Sequence, residues 1–341
     1  MREQRRPNYL FLAGAPVLVT GATGFTGSNL VKKLVKIGAK VTAIARNSSD
    51  LTVLQGLPIK WVRGDVFDEN VVREAIHDVS YIFHVAAAYR EAKVSAETYH
   101  NVHVKSTQLL AIHALAQPDF KRFVHISTVG VHGHIENPPA NEDYPFHPGD
   151  IYQQTKAEAE LWIREFSQKN GLPIAVVRPA AIFGPGDKRL FKVFKMASRK
   201  WFPVLGSGNG FYHLIHVDDL TDFFLFVAIN RKAVGQVFIC GNSEPIQLRN
   251  MARIIAGRWG RPIHFIRIPA SPFFALGFFC EMVCRPLNVE PPIYRRRVAF
   301  YTKDRAFDTS KMRALGFTPK YSNQQGLVET AQWYQQKGWL R

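Results

Sequence analysis

The sequence predicts an α/β fold, a doubly wound parallel sheet followed by a smaller C-terminal lobe. Three observations carry this. Residues 16–19 are apolar and run into Gly21, Gly24 and Gly27, after which Leu30, Val31, Leu34 and Val35 recur at helical spacing. Apolar runs and helix-periodic segments then alternate regularly to about residue 180, the pattern of parallel strands joined by crossover helices. Beyond that point the chain is richer in Pro, aromatic and basic residues, as expected of a lobe closing over the sheet. At 341 residues and 46% hydrophobic, the chain is large enough to bury a full core.

The first strand ends in a glycine turn, residues 21–27, that opens a helix. Glycine permits unusual dihedrals and lets backbone approach a pyrophosphate closely. The helix start then aims N–H groups and a positive dipole end at the phosphates. Gly21, Thr23, Gly24, Phe25, Thr26 and Gly27 are therefore candidate dinucleotide-binding residues. The second strand, Lys40–Ala45, is followed by Arg46, where an NAD-selective site would carry a carboxylate for the ribose 2′-hydroxyl. A guanidinium there suits a 2′-phosphate, which favours NADP(H) over NAD(H). The alternative is a solvated surface charge.

Residues 123–127 read as a strand ending in Ser127 and Thr128, hydroxyls suited to hold a substrate oxygen. Downstream, 152–166 has helical character, and Tyr152 and Lys156 stand at i and i+4, on one face. An ammonium beside a phenol favours the phenolate and moves the tyrosine towards acid/base use. A dinucleotide loop followed by this pair points to a redox enzyme.

In order along the chain stand Thr20-Gly21-Ala22-Thr23-Gly24-Phe25-Thr26-Gly27, Gly64-Asp65-Val66, His84-Val85-Ala86-Ala87-Ala88, Ser127-Thr128, Tyr152 with Lys156, Arg178-Pro179-Ala180-Ala181-Ile182-Phe183-Gly184, and His216-Val217-Asp218-Asp219. With them the chain resembles the extended short-chain dehydrogenase/reductases of the NAD(P)-dependent epimerase/dehydratase superfamily, over residues 16 to about 220. It looks closest to the branch that holds 3β-hydroxysteroid dehydrogenase-like, dihydroflavonol reductase-like and hopanoid-associated epimerase-like proteins. The resemblance implies a Rossmann-type domain over 16–180, its sheet completed from 210–240. A basic tail over 1–15 would precede it, and 181–341 would be mainly the substrate-binding lobe.

By the same resemblance, Tyr152 is the acid/base, Lys156 tunes it and holds the nicotinamide ribose, and Thr128 binds the substrate oxygen with Ser127 beside it. Asp65 and Val66 would contact adenine. Ala86, Ala87 and Ala88 would line the cofactor cleft, and Pro179, Ala181 and Ile182 would pass the nicotinamide. Asn101 lies on the helix that carries a supporting Asn in related enzymes. Related enzymes also form homodimers through two long helices, here 97–117 and 152–168.

Two departures narrow the substrate. Sugar-nucleotide 4,6-dehydratases follow the catalytic Thr with Asp-Glu, whereas Val129 and Gly130 follow Thr128. Many sugar-nucleotide epimerases place an Arg four residues before the position of His216, where this chain has Tyr212. Both weaken the nucleotide-sugar reading, and the expected reaction interconverts a secondary alcohol and a ketone on a lipophilic, sterol- or terpenoid-like, or a sugar-containing substrate. An NAD-dependent nucleotide-sugar epimerase that retains its cofactor and a non-catalytic dinucleotide-binding, redox-sensing module stay as alternatives.

The net charge of +17 attracts anions. No nucleic-acid-binding motif accompanies it, so nucleic acid is not an expected partner. Residues 188–200 read as a basic amphipathic helix, with Lys188, Lys192, Lys195 and Arg199 on one side. Residues 269–285 are strongly apolar and are followed by Arg295, Arg296 and Arg297. They fall short of the roughly 20 apolar residues that span a bilayer, which leaves a buried helix, a pocket wall or an interfacial helix. Three cysteines without ligand spacing argue against a disulfide scaffold or a metal, and the His132–His134 pair reads as a solvent-facing loop. The expected setting is a reducing cytoplasm, with peripheral contact at the inner membrane surface as the alternative.

Overall fold

Runs rich in Val, Ile and Ala, such as Pro16–Thr20 (β1), Lys40–Ala45 (β2) and Ile174–Pro179 (β6), leave no polar side for solvent, so they settle where both sheet faces are covered. A computed structural model describes residues 9–88, 95–284, 295, 298 and 304–340. With Ile59–Arg63 (β3), Tyr81–His84 (β4), Arg122–Ile126 (β5) and Gln236–Cys240 (β11), those runs form a seven-stranded sheet in the order β11-β6-β5-β4-β1-β2-β3. Every neighbouring pair is parallel. This is the doubly wound, Rossmann-type architecture.

On one face, helices α1 (Phe25–Ile37) and α7 (Val217–Ile229) bury Leu30, Leu34, Phe223 and Phe224. On the other, α2 (Glu69–Ile76), α4 (Ser106–Leu115) and α5 (Ile151–Asn170) bury Val72, Ile76, Leu110 and Ile163. A five-residue helix, α3 (Ala96–His100), and one π-helical stretch, Asn101–Lys105, lead into α4, with Asn101 at the head of that stretch. Such wide turns are short and frequent at functional sites. The strand order reverses between β1 and β4, which opens a crevice above their carboxyl ends.

A third core holds the C-terminal lobe together. Phe194 of α6 (Phe191–Ala197), Phe202 and Val204 of β8 (Trp201–Leu205), Met251 and Ile255 of α8 (Leu248–Gly257) and Tyr334 of the helix Asn323–Gln336 meet there. Strand β8 pairs in parallel with β13 (His264–Ile268). Short strands β7 (Ala181–Phe183) and β10 (Leu214–His216) pair beside the sheet.

Three local expectations change. The basic helix is shorter than 188–200 and spans Phe191–Ala197, because the Asp187 carboxylate accepts the N–H groups of Arg189 and Leu190 in a turn before it and Ser198 caps its end. His132 is buried rather than solvent-facing, since the Arg178 guanidinium and the Pro145 carbonyl hold it. The apolar segment forms α9 (Ser271–Cys284), in which only Gly277 is buried, so it is not a core helix. Residues 1–8, 285 and 296–297 lie outside the described residues, while Leu12, from the apolar patch of the tail, is buried in the core beneath β1.

Candidate active site

The glycine turn sits at the reversal point. Gly21 has φ +67°, and a Cβ there would stand 2.8 Å from the Ala86 backbone, so the ends of β1 and β4 touch. A Cβ on Gly27 would lie 2.1 Å from the Gly21 carbonyl oxygen, which fixes α1 hard against the turn. Gly24 caps α1 with no side chain, and the first helical turn carries no acid. Backbone N–H groups at such an end favour an anion. A turn close-packed at its glycines and a helix start with no side-chain cap together fit the pyrophosphate of a dinucleotide. Thr23 is half-buried in the turn, Phe25 and Thr26 open α1, and the Arg189 guanidinium lies 5.5 Å from the Phe25 ring centre.

Other expected residues also follow carboxyl ends of strands. Arg46 is exposed just beyond β2, and the N–H of Gly64 donates to the Ala45 carbonyl, so Asp65 and Val66 leave β3 beside it. Ala86 is buried, Ala87 is exposed, and Ala88 donates its N–H to His103 Nε2 at 3.0 Å. Pro179 ends β6 and is buried, while Ala181 is exposed and Ile182 half-buried.

Beyond β5 come Ser127 and Thr128. The Thr128 Oγ1 accepts the N–H of Gly130 at 3.0 Å, which leaves its own O–H to donate elsewhere. Ser127 Oγ is buried with no hydrogen-bond partner among the described residues. Helix α5 is started by Asp150, whose carboxylate accepts the Gln153 N–H, so Tyr152 falls in its first turn and Lys156 one turn later. Lys156 is buried and its Nζ donates to the Ile126 carbonyl at 2.9 Å, which ties the helix to the strand end that carries Ser127 and Thr128. Burial pushes the Lys156 pKa down to about 8, opposed by the Glu160 carboxylate. The structure thus brings Ser127, Thr128, Tyr152 and Lys156 to one end of β5 and α5.

Behind them lies a histidine network that the motifs did not announce. His103 stands edge-on to the Tyr152 ring, with centroids 5.4 Å apart. Its Nε2 accepts from Ala88, so the proton sits on Nδ1 and points to Thr155 Oγ1 at 2.7 Å, while Thr155 donates onward to the Ile151 carbonyl. His103 therefore links the loop after β4 to the first turn of α5. His84 is fixed in the same way. Its Nδ1 accepts from Thr20 Oγ1 at 2.8 Å, and its Nε2–H reaches Ser106 Oγ at 3.1 Å. Burial and the Lys156 charge hold both rings neutral, His84 at about 3 and His103 at about 2. His125 is driven the same way, and neither of its ring nitrogens has a hydrogen-bond partner among the described residues.

These histidines predict a pH dependence of stability. In the unfolded chain each titrates near 6.5, whereas in the fold His84, His103 and His132 (about 4) stay neutral far lower. Below about pH 6.5 the unfolded chain binds more protons, so stability present above that value is lost as pH falls, by on the order of 1 kcal/mol per pH unit for each histidine. Urea unfolding midpoints should drop sharply between pH 7 and pH 5. Equal midpoints would contradict the neutral assignment.

A second buried system clamps α5. Arg178 and Glu160 are both fully buried, and Nε and Nη2 of the guanidinium engage the carboxylate at 2.5–3.1 Å. Arg178 Nη1 donates to the Glu142 carbonyl and to His132 Nε2. Among the described residues no group of His, Cys, Asp and Glu is arranged to hold a metal ion.

A family profile described as the NAD dependent epimerase/dehydratase family matches residues 17–241, which span the sheet and every residue of this site. The chain belongs to that family. As an extended short-chain dehydrogenase/reductase it is an enzyme with a Rossmann-type, NAD-binding fold. It is 28% identical to 3beta-hydroxysteroid-dehydrogenase/decarboxylase isoform 1 of Arabidopsis thaliana, over 92% of this chain and 78% of that one. It is 29% identical to 3 beta-hydroxysteroid dehydrogenase/Delta 5-->4-isomerase of Mycobacterium tuberculosis, over 93% and 90%. The structure of Epimerase Mth375 from Methanothermobacter thermautotrophicus superposes with a TM-score of 0.78 at 25% identity, over 97% of this chain and 95% of that one. The family thus holds sterol dehydrogenases as well as epimerases and dehydratases of sugars.

Proposed function

We propose that this enzyme is an NAD(P)-dependent oxidoreductase that interconverts a secondary alcohol and a ketone on a lipophilic, sterol- or terpenoid-like substrate. The observation that carries the reading is the buried Lys156, bonded to the Ile126 carbonyl, one turn from Tyr152 and at the strand end that bears Thr128. The turn 21–27 would hold the pyrophosphate, with Asp65 and Val66 at the adenine and Arg46 at a 2′-phosphate. Ala86, Ala87 and Ala88, Pro179, Ala181 and Ile182, and Lys156 with Tyr152 would enclose the nicotinamide riboside. The bound nicotinamide supplies or accepts the hydride.

The chain's own part is proton transfer and orientation. The Tyr152 hydroxyl gives a proton to the substrate oxygen in reduction and takes it back in oxidation. Thr128 donates a hydrogen bond to the same oxygen. The Lys156 ammonium stabilises the phenolate, and its anchor on Ile126 keeps it in place. His103 fixes the first turn of α5 and, held neutral, adds no competing charge.

Val129 and Gly130 after Thr128, Tyr212 on a short strand (Phe211–Tyr212), and relatives named for sterol oxidation support the lipophilic substrate. An epimerase with retained cofactor is the second reading, favoured by the fold shared with Epimerase Mth375. Assay of a 3β-hydroxysterol with NADP⁺ separates them. Stoichiometric NADPH formation supports the oxidoreductase, and isomer interconversion without it supports the epimerase. Exposed Ile112 and Leu115 on α4 and Leu161 on α5 support a homodimer through these helices.

Arg46→Glu should reverse cofactor choice. Loss of a charge-assisted contact to the 2′-phosphate should weaken NADPH roughly 10- to 100-fold while NADH binds no worse. Fluorescence titration of both cofactors checks this, and an unchanged NADPH/NADH ratio would return Arg46 to a solvated surface role.

A further inference from the structure

Helix α9 leaves the lobe with its apolar side in solvent. Leu276, Phe278, Phe279, Met282 and Val283 are 47–58% exposed, and Gly277 is the one buried residue. At 3.6 residues per turn these five side chains cover an arc of roughly 160°, and the 14-residue helix is about 21 Å long. Among the described residues no helix is long and apolar enough to cross a membrane. An apolar face of this size in contact with water marks a docking surface.

The surroundings say what docks. The segments that build this lobe, 188–205 and 245–284, carry Lys188, Arg189, Lys192, Lys195, Arg199 and Lys200, then Arg249, Arg253, Arg258, Arg261 and Arg267. Within those two stretches the one acid is Glu281, paired with Arg295 at 2.9 Å, while Asp187 and Glu244 at their borders and Glu329 on the helix Asn323–Gln336 leave the lobe's basic excess large. The same Arg295 guanidinium lies 5.1 Å from the Phe278 ring centre, at the border of the apolar face. Next to α9 in sequence, strand β13 exposes Ile266 and Arg267. Its partner β8 begins with Trp201, 54% exposed, beside exposed Lys200. Trp201 and His264 are paired neighbours, and Ile266, two residues on, shares their face of the pleat. An amphipathic indole beside cations is the composition of a membrane–water boundary.

We propose that α9 and the β8–β13 edge dock on an anionic lipid bilayer, α9 lying in the interface with its apolar arc among the acyl chains. Arg295 at the border of that arc, with the other basic side chains of the lobe, meets the headgroup charge. A second copy is the poorer occupant, because a twofold contact sets this lobe against itself and opposes like charges across the interface. The proposal stands on the surface and not on the reaction, so it survives whether the substrate is oxidised or epimerised.

Co-sedimentation of the full chain with vesicles tests it. Binding is expected to vesicles of equal parts phosphatidylcholine and phosphatidylglycerol, and to fall at least about tenfold on phosphatidylcholine alone or in high salt. Phe279→Glu and Met282→Glu replace exposed side chains, so the fold should hold, as judged by unchanged NADPH binding. Each should cut vesicle binding at least about tenfold. Three results would overturn the proposal: wild-type protein left in the supernatant, variants that bind as well as wild type, or variants whose only change is loss of a dimer.

Discussion

Tyr152→Phe is expected to lose turnover by about three orders of magnitude while dinucleotide binding is retained. General acid–base catalysis contributes 10²- to 10⁴-fold, and the Tyr152 phenol is the proton donor in the proposed mechanism. The substitution removes one oxygen and keeps the ring that packs edge-on to His103, so α5 keeps its place. Steady-state kinetics with a fluorescence titration of NADPH separates chemistry from binding. Near-native turnover would remove Tyr152 from the reaction.

Glu160→Ala is expected to destabilise the fold by about 3–5 kcal/mol, since it leaves the Arg178 guanidinium buried without its carboxylate. The loss is larger than for an ordinary surface pair because neither group reaches water. Double replacement by apolar residues, Glu160→Leu with Arg178→Met, should recover much of it, as the buried charge is gone. Urea unfolding of the three variants reads this directly. The single variant should also weaken catalysis, because Glu160 lies one turn beyond Lys156 and supports its ammonium form.

What was legible in the sequence was local. The strand–glycine–helix signal of 16–37 and the Tyr152–Lys156 spacing each lie within a few turns of chain, so periodicity and motif found them. The histidine network was not, because Thr20, His84 and Ser106 are brought together only by the pairing of β1 with β4 and by the packing of α4. Sequence offered one hint, that His84 and His125 both interrupt apolar strands and so enter the core. His132 misled for a related reason: its partner Arg178 is 46 residues away, so nothing nearby announced its burial. For α9, composition could not separate a core helix from an interfacial one, since both are apolar and only tertiary placement distinguishes them.

The most direct test of the oxidoreductase reading follows the label. Purified protein and Tyr152→Phe are incubated with NADPH deuterated at nicotinamide C4 and a cell lipid extract, and products are resolved by mass spectrometry. Deuterium in a lipophilic alcohol, absent with the variant, is the predicted result. Isomerised product without label, from protein that still binds NADPH, would contradict net oxidoreduction and leave an epimerase that keeps its own hydride.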